Sequence, residues 1–151
     1  MHAARGLSLG RALGLASVPA LAAVGAPPAL AQSCTVSSEA VLFDPYDPLG
    51  AAPADGVGVV RLRCDGAFPV SVGLASASGG SGRVLRSGAD ELSYELYADP
   101  ARSLPWGDGT AAPARSASGP EADLTVYGRI MPGQNARDGS YSDSVTVILA
   151  F

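Results

Sequence analysis

Apolar and polar side chains alternate with a period of two along most of the chain beyond residue 34, and turn formers interrupt the alternation at short intervals. In an extended backbone that period sends successive side chains to opposite faces, so each run predicts a strand with one buried face. The first is predicted over 35–43. Asp44-Pro45-Tyr46-Asp47-Pro48 ends it, because proline cannot donate to a central ladder. A second, over 56–65, sets Val60, Leu62 and Cys64 against Val59, Arg61 and Arg63. A third, over 68–75, alternates Val70, Val72 and Leu74 with Ser71 and Gly73.

Residues 76–82 are rich in serine and glycine and read as a hairpin connection; a phosphate cradle would need a following lysine and a helix signal. A short strand is expected over 83–86. Over 91–97, Leu92, Tyr94 and Leu96 oppose Glu91, Ser93 and Glu95. From 99 to 123, Pro100, Pro105, Gly107, Gly109, Pro113, Gly119 and Pro120 predict loop with one short edge strand. Trp106, the only tryptophan, has two readings here: a ring closing over a core, or an aromatic on a binding surface. A strand over 124–130 and a turn region over 131–139 lead to a last strand over 141–151. It carries Val145, Val147, Leu149 and Phe151 on one face and Ile148 on the other. The sequence stops inside that strand, and a free strand edge invites pairing with another chain. Six or seven short strands with almost no helical spacing predict an all-β, immunoglobulin-like sandwich.

The front of the chain follows another plan. Arg5 and Arg11 precede an apolar run over 13–24, and Ala29-Leu30-Ala31 offers small residues for cleavage after Ala31. Residues 1–31 are therefore expected to be a signal peptide and 32–151 one secreted domain. Pro19, Gly25, Pro27 and Pro28 break the run, which is short for a membrane span, and no later stretch resembles one. Cys34 and Cys64 form an exported even pair, which reads as a disulfide tying the start of the first strand to the end of the second. A metal site would require more ligands at suitable spacing.

Charge and chemistry narrow the function further. The net charge is −4, and loss of the leader removes two arginines and no acid, so nucleic acid is not an expected partner. All ten basic residues are arginine. The single histidine, His2, leaves with the leader. Without imidazole, lysine amine or free thiol, histidine triads, zinc sites, thiol catalysis and Schiff bases all drop out. Carboxylate pairs such as Asp90 with Glu91, or Asp44 with Asp47, sit in turn-like settings where solvated acids are ordinary. Asp44, Asp47, Asp99 and Asp108 lack the spacing of a dedicated calcium loop. The expectation is a protein that is not an enzyme and has no cofactor.

Taken in order, several pieces resemble the spore coat protein U domain. They are Val41-Leu42-Phe43-Asp44-Pro45-Tyr46, the strand over 56–64, Leu92-Ser93-Tyr94-Glu95-Leu96-Tyr97, Trp106-Gly107, Val126-Tyr127-Gly128-Arg129-Ile130 with Gly133-Gln134, and the ending over 141–151. The resemblance implies an archaic chaperone-usher pilus subunit, secreted through the periplasm to the cell surface as part of a fimbrium. Its implied partners are a periplasmic chaperone, an outer-membrane usher and other pilus subunits. It also implies a sandwich lacking its final strand and completed by strand addition. The acceptor groove would lie between Val41 and Phe43 on one side and Val145, Val147 and Leu149 on the other, with the carboxylate of Phe151 as the chaperone anchor.

Two local departures from the family pattern, Asp44 in place of a common glycine and a proline shifted by one at Met131-Pro132, are expected to reshape a turn only. A third is larger. Cleavage after Ala31 leaves Gln32 and Ser33 ahead of Cys34, whereas donating a strand needs about ten residues at strand spacing. The chain is thus expected to accept a strand without donating one, as at a terminal or tip position. The alternative is a stand-alone secreted coat, matrix or carbohydrate-binding β-sandwich, with Trp106 as its surface aromatic.

Overall fold

The computed structural model describes residues 31–77 and 82–151. The leader expected over 1–31 lies outside the described residues but for Ala31, and so do 78–81 of the serine- and glycine-rich connection. Among the described residues the chain forms eight strands and no helix: β1 (Cys34–Phe43), β2 (Ala54–Cys64), β3 (Pro69–Ser76), β4 (Arg83–Ser87), β5 (Asp90–Tyr97), β6 (Arg115–Ser118), β7 (Glu121–Ile130) and β8 (Val145–Ala150). They build a five-stranded sheet in the order β1-β2-β7-β5-β4 and a three-stranded sheet in the order β6-β3-β8. Every ladder is antiparallel.

The alternation read from the sequence sets the faces. Val60, Leu62, Leu92, Tyr94, Leu96, Leu124, Val126 and Ile130 of the larger sheet pack with Val70, Val72 and Leu74 of the smaller in one buried cluster. Two elements differ from expectation. β7 starts at Glu121, three residues early, because this acidic stretch pairs across to β2 and meets Arg63 through Glu121 and Asp123. β8 starts at Val145, later than 141. Ahead of it Ser142 bridges to Arg86 of β4, and the Ser144 amide donates to the Asp143 carboxylate at 2.8 Å, a local bond that competes with a ladder. Phe151 falls beyond β8 and sets its ring against Phe68 at 5.7 Å.

Trp106 lies in the core at 1% exposure. Its indole Nε1 donates to the Val72 carbonyl at 2.8 Å, its backbone N–H donates to Leu96, and the Gly107 carbonyl accepts from Leu74. The segment therefore stitches β5 to β3, and the surface-binding reading of Trp106 is corrected: no face of the ring is open to an outside ligand. Arg83 is also buried, its Nη2 donating to the carbonyls of Leu74 at 2.6 Å and Trp106 at 3.1 Å. Cys34 and Cys64 are direct neighbours in the β1–β2 register and form the disulfide. In the loop-entropy model it contributes about 3 to 4 kcal/mol.

Candidate strand-acceptor groove

β1 is one edge of the five-stranded sheet and β8 one edge of the three-stranded sheet, and among the described residues the outer side of each pairs with no strand. Register shows what these edges expose. Val36 pairs with inward-facing Leu62, yet Val36 is 41% exposed and Leu62 is 1%. Val147 and Leu149 pair with Leu74 and Val72, which are fully buried, while Val145, Val147 and Leu149 are only half-buried. Both edge strands thus point an apolar row toward the interior, and both rows lack cover on one side.

Between them lies a cavity of about 360 Å³. Its walls include Val41 and Phe43 of β1 and Val145 and Val147 of β8; Val60, Leu74, Leu85, Tyr94, Leu96 and Val126 line it too, together with Ser38, Glu39, Ala40 and Asp143. A second cavity of about 590 Å³ shares Val41, Phe43, Leu85 and Asp143 with the first and continues past Tyr46, Leu92, Ile130 and Tyr141. β4 and β6, either of which could have covered the opening, pair elsewhere, with β5 and β3.

The β1 wall depends on an irregularity and on glycine. The β1–β2 register shifts between Glu39 and Leu42. Beyond the shift Phe43 and Val41 sit over Gly128, where an added Cβ would come within 2.6 Å and 2.9 Å of them. Gly58 leaves similar room for Val41. Phe43 also meets Tyr94 edge to face at 5.6 Å.

Of the residues expected at the groove, Val41, Phe43, Val145 and Val147 line the first cavity. Leu149 shares their face on β8 but lies beyond its lining. Phe151 is 61% exposed and packs on Phe68. Among the lining residues that alternation and resemblance do not assign to the groove, Tyr94 and Asp143 form a polar pair. The Tyr94 hydroxyl donates to Asp143 Oδ2 at 2.7 Å inside the groove. Burial, and then this bond, push the Tyr94 phenol well above its usual range. Asp143 was legible in principle, since it stands two residues before Val145 and continues the inward phase of β8.

Most of the other candidate carboxylates have partners of their own. Asp47 accepts from the Leu49 amide, Asp99 from Ser103 and Leu104, and Asp108 from Thr110. Asp90 and Glu91 pair with Arg137 and Arg86. Gln134 acts as a clamp: its amide accepts from the Ser93 N–H at 2.7 Å and donates to the Ser93 carbonyl at 2.8 Å, serving β5 as a neighbouring strand would.

Comparison with known proteins bears on this geometry. The family model described as Spore Coat Protein U domain matches residues 20–148. "Protein U" of Myxococcus xanthus is 31% identical over 140 residues, spanning 79% of this chain and 78% of that protein. Among solved structures, a chain of the CsuC-CsuE chaperone–tip adhesion subunit pre-assembly complex, from archaic chaperone-usher Csu pili of Acinetobacter baumannii, superposes with a TM-score of 0.57 at 21% identity. That alignment covers 81% of this chain and 40% of the other, so the chain spans about two fifths of that neighbour's length.

Proposed function

The chain belongs to the Spore Coat Protein U domain family, and from that premise we propose that it is a secreted structural subunit of an archaic chaperone-usher pilus or surface coat, completed by a strand from another chain. The observation that carries this reading is the pair of half-covered apolar rows on β1 and β8 flanking an open, core-lined groove. An inserted strand would satisfy both unpaired edges with backbone hydrogen bonds and would cover Val41, Phe43, Val145 and Val147 with alternate side chains. The partners that fit are a periplasmic chaperone, which shields the groove before assembly, then an outer-membrane usher and neighbouring subunits. The solved neighbour is itself a chaperone–subunit pre-assembly complex, which supports the same choice. The role is structural rather than catalytic.

Expression in a bacterium supplying an archaic-class chaperone and usher tests the reading. The chain is expected to co-purify with the chaperone from the periplasm and to reach surface fibres. Val145→Asp combined with Val147→Asp is expected to abolish both, because two carboxylates would then face an apolar strand. A soluble monomer that never engages the chaperone, or a double variant that still assembles, would overturn it. The terminal position is the finer part of the proposal and depends on cleavage after Ala31, leaving Gln32 first. Mass spectrometry of the mature N-terminus tests it; about ten or more residues ahead of Cys34 would overturn that position. With Trp106 buried, the carbohydrate-binding alternative loses the residue that motivated it.

A further inference from the structure

The first cavity is lined mostly by apolar side chains, and its polar members are Ser38, Glu39, Tyr94 and Asp143. Glu39 contributes to its lining, but its carboxylate turns out to Arg61 at 2.7 Å. Asp143 remains on the wall. Its Oδ2 accepts from the Tyr94 hydroxyl at 2.7 Å and from Ser76 Oγ at 3.4 Å, and its Oδ1 from the Ser144 amide at 2.8 Å. All three donors are neutral. Among the described residues no arginine makes an ion pair with Asp143. Buried Arg83 directs Nη2 to the Leu74 and Trp106 carbonyls and its Nε toward Glu95, and its Nη1 has no hydrogen-bond partner among the described residues. Its charge reaches the Tyr94 hydroxyl without forming an ion pair with Asp143; Arg137, which lines the second cavity with Asp143, pairs with Asp90.

In the open groove Asp143 is only half-buried, so its carboxylate is reachable by solvent. A strand laid over Val145 and Val147 also covers Asp143, which stands two residues earlier in the same phase. Covering an ionised carboxylate that keeps only neutral donors is costly, whereas a cation delivered by the covering strand offsets that cost and adds a charge-assisted hydrogen bond. Resting on the strand-acceptor reading above, we propose that the strand filling this groove carries an arginine or lysine beside Asp143. That residue is in phase, at two-residue steps, with the apolar side chains that cover Val145 and Val147. Asp143 is then a specificity residue: it favours a cationic strand and rejects an acidic one.

The test uses the full mature chain and labelled peptides of alternating valine and isoleucine. One further in-phase position holds Arg, Gln or Glu, placed at either end so that both strand directions are sampled. A control peptide carries the Arg one position out of phase, which exposes any general attraction to an acidic protein. The in-phase Arg peptide is expected to bind about tenfold tighter than the Gln peptide and the out-of-phase Arg peptide, with the Glu peptide weakest. In Asp143→Asn the Arg advantage is expected to vanish while the Gln peptide still binds. Equal binding by all the peptides, or an Arg advantage unchanged in Asp143→Asn, would overturn the inference and leave strand acceptance standing. Binding by no peptide would overturn strand acceptance itself, and the inference with it.

Discussion

Gly128 of β7 faces inward directly beside Gly56 of β2, and the hydrogens these residues carry in place of side chains decide how β1 sits. A Cβ on Gly128 would lie 2.6 Å from Phe43 Cε1 and 2.9 Å from Val41 Cγ1, and one on Gly56 would lie 2.7 Å from the Leu42 carbonyl oxygen. Glycine normally weakens a strand interior, and it is found where another chain segment must approach closely. Gly128→Ala is therefore expected to push the Phe43 ring off the sheet and to destabilise the fold by about 1 to 3 kcal/mol in denaturant unfolding, the usual cost of overpacking. Phe43→Leu in the same background should recover part of that loss. Independent, additive losses would show that the two residues do not share the space. Alternation alone could not reveal this fit, because a glycine within a β pattern shows that something comes close without showing what does.

At the level of elements, β2 and β7 are held by ladder bonds inside and by charge outside. Arg129 donates to both oxygens of Asp55, at 2.7 and 2.8 Å, and Arg102 approaches Asp55 at 3.3 Å. The Arg129 hydrogen bond holds the Asp55 carboxyl below its ordinary value of 3.8; partial burial opposes this, and the charges of Arg102 and Arg129 assist it. A carboxyl with a depressed folded-state pKa contributes stability above 3.8 that is lost as pH falls through the folded value. Asp55→Asn is expected to lower stability at neutral pH and to match the parent at strongly acid pH, as urea unfolding across pH would measure. A deficit that persisted at low pH would point to lost packing instead of lost charge. Strands with strict alternation, such as β2, β3 and β5, were legible in sequence with their faces correctly assigned. The extra residues of β7 and the late start of β8 were not, since Arg63 and Arg86, distant in sequence, determine them. Trp106 was ambiguous for a similar reason: its partners Val72, Leu74 and Leu96 come from strands that only the fold brings together.

For the whole molecule, the two sheets enclose a core whose cover ends at β1 and β8. Half of the groove, the β8 row of Val145, Val147 and Leu149, could be read from alternation. The β1 half could be placed only by resemblance, because Val41 and Phe43 reach the interior through a register shift. This asymmetry predicts a pattern of amide exchange. β2 and β7 have ladder partners on both sides, so their amides should exchange slowest. In β1 and β8 only the amides directed at β2 and β3 should be protected, and those on the outer edges should exchange rapidly in the free chain. Binding of a complementary strand should slow that outer set on β1 and β8 together and leave β2 and β7 nearly unchanged, since one insert bridges both edges. Protection of the outer amides in the free chain would mean that the groove is already closed. Protection of one edge alone on binding would mean that the partner adds beside a sheet without completing the sandwich.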